Sequence, residues 1–182
     1  MISYGKKMFL SSMISFIAAW SLSFIISIKL PSADVGAYNI LLTLTGLTTF
    51  LLINLNKVMA PAITKLYNEN KILELNNLYK KTTFLINVFT IPLSILIVLF
   101  ADEILGMYTY EMVRYKPYLC MMMLGGIVSL AAGSSGTLMI MVGLEKQNLY
   151  IQLIRALLLI VLSLSLIQFF GMLIIVILYV IS

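Results

Sequence analysis

Uncharged apolar runs separated by short polar breaks organise this chain. A hydrocarbon core of about 30 Å takes roughly 20 apolar residues to cross as an α-helix. Runs of that size lie at residues 8–28, 35–56, 82–101, 117–142 and 149–167, the last interrupted by Arg155. A sixth run, 169–182, covers only about 21 Å as a helix, so it reads as a partial span and the chain is expected to be truncated there. The pattern predicts an all-α integral membrane protein. Residues 1–182 form a single membrane domain, a bundle of about six transmembrane helices with the last one incomplete.

The exception is the stretch NKVMAPAITKLYNENKILELNNLYKK, residues 56–81. Within it Ile63, Leu66 and Tyr67, then Ile72, Leu75, Leu78 and Tyr79, recur at helical spacing, with Lys, Asn and Glu between them. This predicts a cytoplasmic amphipathic connector over 57–81, broken into two short helices at Asn68–Asn70 and lying among lipid headgroups. A solvated hairpin between two spans is the competing reading.

Composition closes off the soluble classes. The chain is 62% hydrophobic and 10% charged, with a mean hydropathy of +1.07, against about 25% charged in an ordinary soluble domain. The net charge of +5 carries no basic and aromatic interleaving outside the spans, so no nucleic-acid partner is expected. The lysines instead set topology, because short cytoplasmic loops retain Lys and Arg. Lys6 and Lys7 lie on the same side as Lys57, Lys65, Lys71, Lys80 and Lys81. The opposite loops hold Lys29 with Asp34, and Asp102, Glu103 and Glu111 with Arg114 and Lys116, which gives no comparable excess. Both termini are therefore expected in the cytoplasm of a multi-pass cell (inner or plasma) membrane protein. The first run is longer than a signal-peptide core and lacks a small-residue cleavage site, so it reads as a retained span. The lone Cys120 has no internal disulfide partner.

An ordered set of motifs then carries a family resemblance. SADVGAYNI, APAITKLYNENKILELNNLYKKTT, IPLSILIVLFADEILGMY, a glycine-bearing span and MVGLEKQN follow one another between Ala33 and Gln147. In this order they resemble the Wzx-type polysaccharide and oligosaccharide flippases of the multidrug/oligosaccharidyl-lipid/polysaccharide exporter superfamily. The resemblance implies twelve helices in two six-helix lobes rocking about a central cavity, this chain corresponding to the C-terminal lobe. It implies alternating-access translocation of a polyprenyl-pyrophosphate-linked oligosaccharide. The partners expected from it are that lipid-linked oligosaccharide, membrane lipids and an N-terminal six-helix lobe. The sequence MLIIVILYVIS after Gly171 departs from the small-residue opening of the family's final helix.

A pyrophosphate at membrane depth needs cations or oriented amides. Arg155 is the only charge inside a run, and Asn148, Gln152 and Arg155 share a helical face at i, i+4 and i+7, which makes that face the leading headgroup contact. Snorkelling competes with it, since Lys146 is about 13 Å away along the helix. Asn54, Asn56 and Lys57 form a second polar set, with Thr43, Thr45, Thr48 and Thr49 beyond it. These threonines either line a wet interior or bond back to their own helix. Small residues at Ser12, Ser15, Ala19, Ser23 and Ser27, and at Gly125, Ser129 and Gly133, predict close helix approach, and Pro61 and Pro92 are expected to kink or end their helices.

The carboxylates Asp34, Glu69, Glu74, Asp102, Glu103, Glu111 and Glu145 all fall in loops or at span ends, leaving no intramembrane acid for a proton or sodium relay. That weighs against a cation-coupled small-molecule or drug exporter, the first alternative; an inactive membrane fragment is the second. With no histidine and no clustered cysteine there is no metal site to propose and no cofactor, and Walker-type glycine loops are missing. An enzyme is not expected; the remaining enzymatic alternative is a membrane glycosyltransferase using Asp102 or Glu103.

Overall fold

The computed structural model describes residues 2–131 and 135–181. Helices follow in the order α1 (Ile2–Lys29), α2 (Ser32–Asn68), α3 (Ile72–Leu99), α4 (Ala101–Gly106), a 3-10 turn (Tyr110–Tyr115), α5 (Lys116–Ala131), α6 (Ser135–Met141), α7 (Glu145–Phe170) and α8 (Met172–Ile181). No strand occurs among the described residues. The chain is an all-α membrane bundle. By length and composition Ser32–Asn68, Ile72–Leu99, Tyr110–Met141 and Glu145–Phe170 can each cross a bilayer, whereas Met172–Ile181 is too short.

The helices run up and down. α1 lies along α7, α2 against α3 and α5, and α8 between α5 and α7. The buried core gathers at one end of the bundle. It takes Leu22 and Ile26 from α1, Tyr38 and Leu41 from α2, Ile97 from α3, Leu105 from α4, Leu119 and Met122 from α5, and Ile175 and Val176 from α8. We call this the core end, and the opposite one, where α2 turns into α3, the hairpin end. Large apolar side chains elsewhere, such as Phe16, Phe50, Phe89 and Leu157, face outward. In lipid that orientation costs nothing, because the hydrocarbon is as apolar as they are.

The polar stretch 57–81 is drawn differently from two separate interfacial helices. α2 continues without interruption through Pro61 to Asn68, and α3 starts again at Ile72, so the connector is the protruding ends of two long helices. At 37 residues, α2 measures about 55 Å, well beyond the hydrocarbon thickness. The break does fall at Asn68–Asn70. Asn70 takes φ 57°, a left-handed conformation that asparagine tolerates better than most residues, and Lys71 N–H bonds Leu66 O at 2.9 Å. Neither Pro61 nor Pro92 ends its helix. The fifth run also extends further than its hydropathy indicates: α7 reaches Phe170 and stops only where Gly171 adopts φ 55°.

The small-residue stripes divide. Gly125 is buried against α8, and a Cβ there would meet Val180 at 2.7 to 2.9 Å, so close approach explains it. Ser129 is exposed and Gly133 lies outside the described residues. Along α1 the buried residues, among those described, are Leu22, Ile25 and Ile26. Ser23 is only half-buried, and Ser27 is exposed and donates to Phe24 O at 2.7 Å. The side chains of Ser12, Ser15 and Ala19 lie outside the described set.

Candidate functional site

α7 begins after the turn at Gly143, whose φ of 84° lets the chain reverse out of α6. Its first turns place Asn148 against α6, with Asn148 Oδ1 3.5 Å from where a Cβ on Gly136 would sit. Asn148 is buried, and its Nδ2 has no hydrogen-bond acceptor among the described residues. Gln152 is half-buried one turn on, and Arg155 follows on the same side. The helical face expected from the spacing therefore exists, but its two ends meet different neighbours. Arg155 lines a groove of about 340 Å³ formed with Ile151, Ile154, Leu158, Leu159 and Leu162 of α7 and Leu178 and Ile181 of α8. Among the described residues it is the one charged residue in that lining.

The second set sits on α2, and no α2 residue lines the groove. Asn54 donates its amide to Phe50 O at 2.7 Å. Asn56 is half-buried, on the helix side shared with Thr45, Thr48 and Ile63, and Lys57 is exposed. The four threonines bond back to their own helix. Thr43 donates to Asn39 O, Thr45 to Leu41 O, Thr48 to Thr45 O and Thr49 to Gly46 O, at 2.7 to 3.0 Å. Each hydroxyl hydrogen is thus committed locally, which lets a polar residue sit in an apolar seam.

Two carboxylates at the core end, Asp34 and Asp102, are held by neighbouring side chains. Arg114 Nη2 donates to Tyr115 OH at 2.6 Å, and that phenol donates a short hydrogen bond to Asp34 Oδ1, tying the start of α2 to the start of α5. Lys116 Nζ lies 2.6 Å from Asp102 Oδ2. At the hairpin turn Lys71 Nζ is 2.9 Å from Glu69 Oε2. The hydrogen bond from Lys71 holds the Glu69 carboxyl below its ordinary range, and Glu69 in turn holds the Lys71 ammonium above its own.

One arrangement escaped the sequence pattern as read. On α3, Asn76, Lys80, Thr83, Asn87, Thr90 and Ser94 follow at intervals of four, three, four, three and four, which aligns all six on one side of the helix. The signal was present. It is diluted by the aliphatic residues on the other sides, which dominate any average over the span.

A helical bundle with apolar flanks, a protruding polar hairpin and polar side chains turned into its seams defines a multi-pass membrane protein. A family model described as "Polysaccharide biosynthesis protein" matches residues 1–111, and the chain belongs to that family. The match takes in SADVGAYNI, APAITKLYNEN and IPLSILIVLFADEILGMY, and ends before MVGLEKQN. No curated protein and no solved structure matches the chain.

Proposed function

We propose that this protein works in polysaccharide biosynthesis by carrying a polyprenyl-pyrophosphate-linked oligosaccharide from the cytoplasmic to the outer leaflet of the cell membrane. The family match over residues 1–111 carries this reading. The apolar bundle supports it, because its long helices suit movement of a lipid-anchored cargo across the bilayer. In this reading the chain is the C-terminal lobe of a two-lobed flippase, both termini are cytoplasmic, and an N-terminal six-helix lobe completes the central cavity. Arg155 meets the diphosphate, its planar guanidinium matching two phosphate oxygens, with Gln152 and Asn148 beside it. Asn54, Asn56 and Lys57 serve the polar headgroup from α2.

The test is deletion of the gene in its own cell, with assay of surface polysaccharide and of lipid-linked oligosaccharide. Loss of the surface polymer, with the lipid-linked intermediate accumulating on the cytoplasmic leaflet, is expected. Re-expression should restore it, and Arg155→Gln should restore it at least tenfold less well. A deletion strain with unaltered surface polysaccharide overturns the reading. Loss of the lipid-linked intermediate itself, reproduced by Asp102→Asn, points instead to a glycosyltransferase.

A further inference from the structure

The stripe on α3 runs about 27 Å from Asn76 to Ser94 at 1.5 Å per residue, and its burial deepens steadily. Asn76 and Lys80 are exposed at the hairpin end, Thr83 and Asn87 are half-buried, and Thr90 and Ser94 are each 1% exposed. Where it deepens, α3 packs on α2 and α5. The facing surface is polar too, with buried Thr45 and Thr48 on α2 and Gly126 on α5.

Hydrogen bonding across this seam is incomplete in a specific way. Thr45 and Thr48 have spent their hydroxyl hydrogens on α2 carbonyls. Thr90 donates to Thr48 O at a long 3.5 Å, and Asn87 Nδ2 donates to Thr83 O at 2.9 Å. That leaves Thr83 Oγ1, Asn87 Oδ1 and Ser94 Oγ, all buried, with no partner among the described residues. Three unpartnered oxygens on one line, facing hydroxyls already engaged, call for a small ligand that both donates and accepts. At Gly126 the seam has room for one methyl group: a Cβ there would sit in ordinary contact, 3.8 Å, with Thr48 Oγ1 and Thr45 Cγ2.

We propose that the α2–α3 seam is a water track, open at the hairpin end beside Lys80 and running past Thr83 and Asn87 to a blind end at Ser94. Bound waters bridge the three oxygens. Ile97, Ala101 and Leu105, all buried, close the track at the core end. The proposal stands apart from the cargo reading, since it concerns solvent in a seam that shares no residue with the Arg155 groove.

Silver ion, a thiol reagent of nearly the size of water, tests it. In a chain carrying Cys120→Ala, single variants Thr83→Cys, Asn87→Cys and Ser94→Cys are compared with Ile86→Cys, a buried position of the same helix off the stripe. The three stripe thiols should react at least tenfold faster than this control. Equal rates overturn the proposal, and so does reaction at residue 83 or 87 without reaction at residue 94, since the track would then stop short. A thermal melt of Ser94→Ala gives a second measure that needs no thiol. Removing an unpartnered oxygen from a dry seam raises the melting temperature, whereas removing a hydrated one lowers it, so a rise also overturns the proposal.

Discussion

Two glycines show how far a single position depends on what lies opposite it. Gly125 faces Val180 so closely that an added methyl would sit within 2.9 Å of the valine side chain, whereas a methyl on Gly46 meets nothing within 4 Å. Overpacking a tight contact costs about 1–3 kcal/mol, and replacing an open helical glycine with alanine gains about 0.5–1 kcal/mol. Gly125→Ala is therefore expected to lower the melting temperature and Gly46→Ala to raise it. Adding Val180→Ala should recover part of the loss at Gly125, because it removes two of the three closest atoms. Thermal melts of the three variants in detergent check the signs. The sequence marks both positions only as glycines in apolar runs; the partner helix that distinguishes them comes from over fifty residues downstream.

Among the elements, the α2–α3 hairpin was partly legible and partly not. Alternating polar and apolar positions from Ile63 to Tyr79 identified helical segments, and the Asn-rich turn was visible at Asn68–Asn70. What remained hidden was that these segments are continuous with the membrane helices. Hydropathy changes sign near Asn56, but helical backbone geometry does not register hydropathy, and α2 continues through Pro61 with one backbone bond fewer. Similarly, the back-bonded threonines of α2 and the polar stripe of α3 look alike as letters and differ only in whether their oxygens find partners. The turn itself has a defined pH response. Glu69, its carboxyl lowered by Lys71, supports the pairing at neutral pH and ceases to do so as pH falls through that lowered midpoint; Lys71, raised by Glu69, ceases to do so only on strong alkalinisation. In Lys71→Met the Glu69 midpoint should rise, read by carbon-detected NMR of the carboxyl group.

For the whole molecule, the class of fold followed from run length and charge alone, because the bilayer imposes both so strictly. Placement of the candidate site was less accessible. Asn148 and Arg155 share a helical face, yet one packs on α6 and the other opens toward α8, a division that depends on where α8 is inserted. The proposed orientation carries its own test. With Cys120 replaced, a cysteine at the exposed Asn77 should resist an impermeant thiol reagent added outside intact cells and react once the membrane is opened. Labelling from outside reverses the topology.

The unbroken α2 gives the bundle mechanical leverage. A rod gripped near Tyr38 and Leu41, with about 40 Å of helix beyond that grip, turns a tilt of about 10° into a sweep of about 7 Å at Asn68. Small repacking among core side chains would thus swing the lysine-rich tip across the membrane surface.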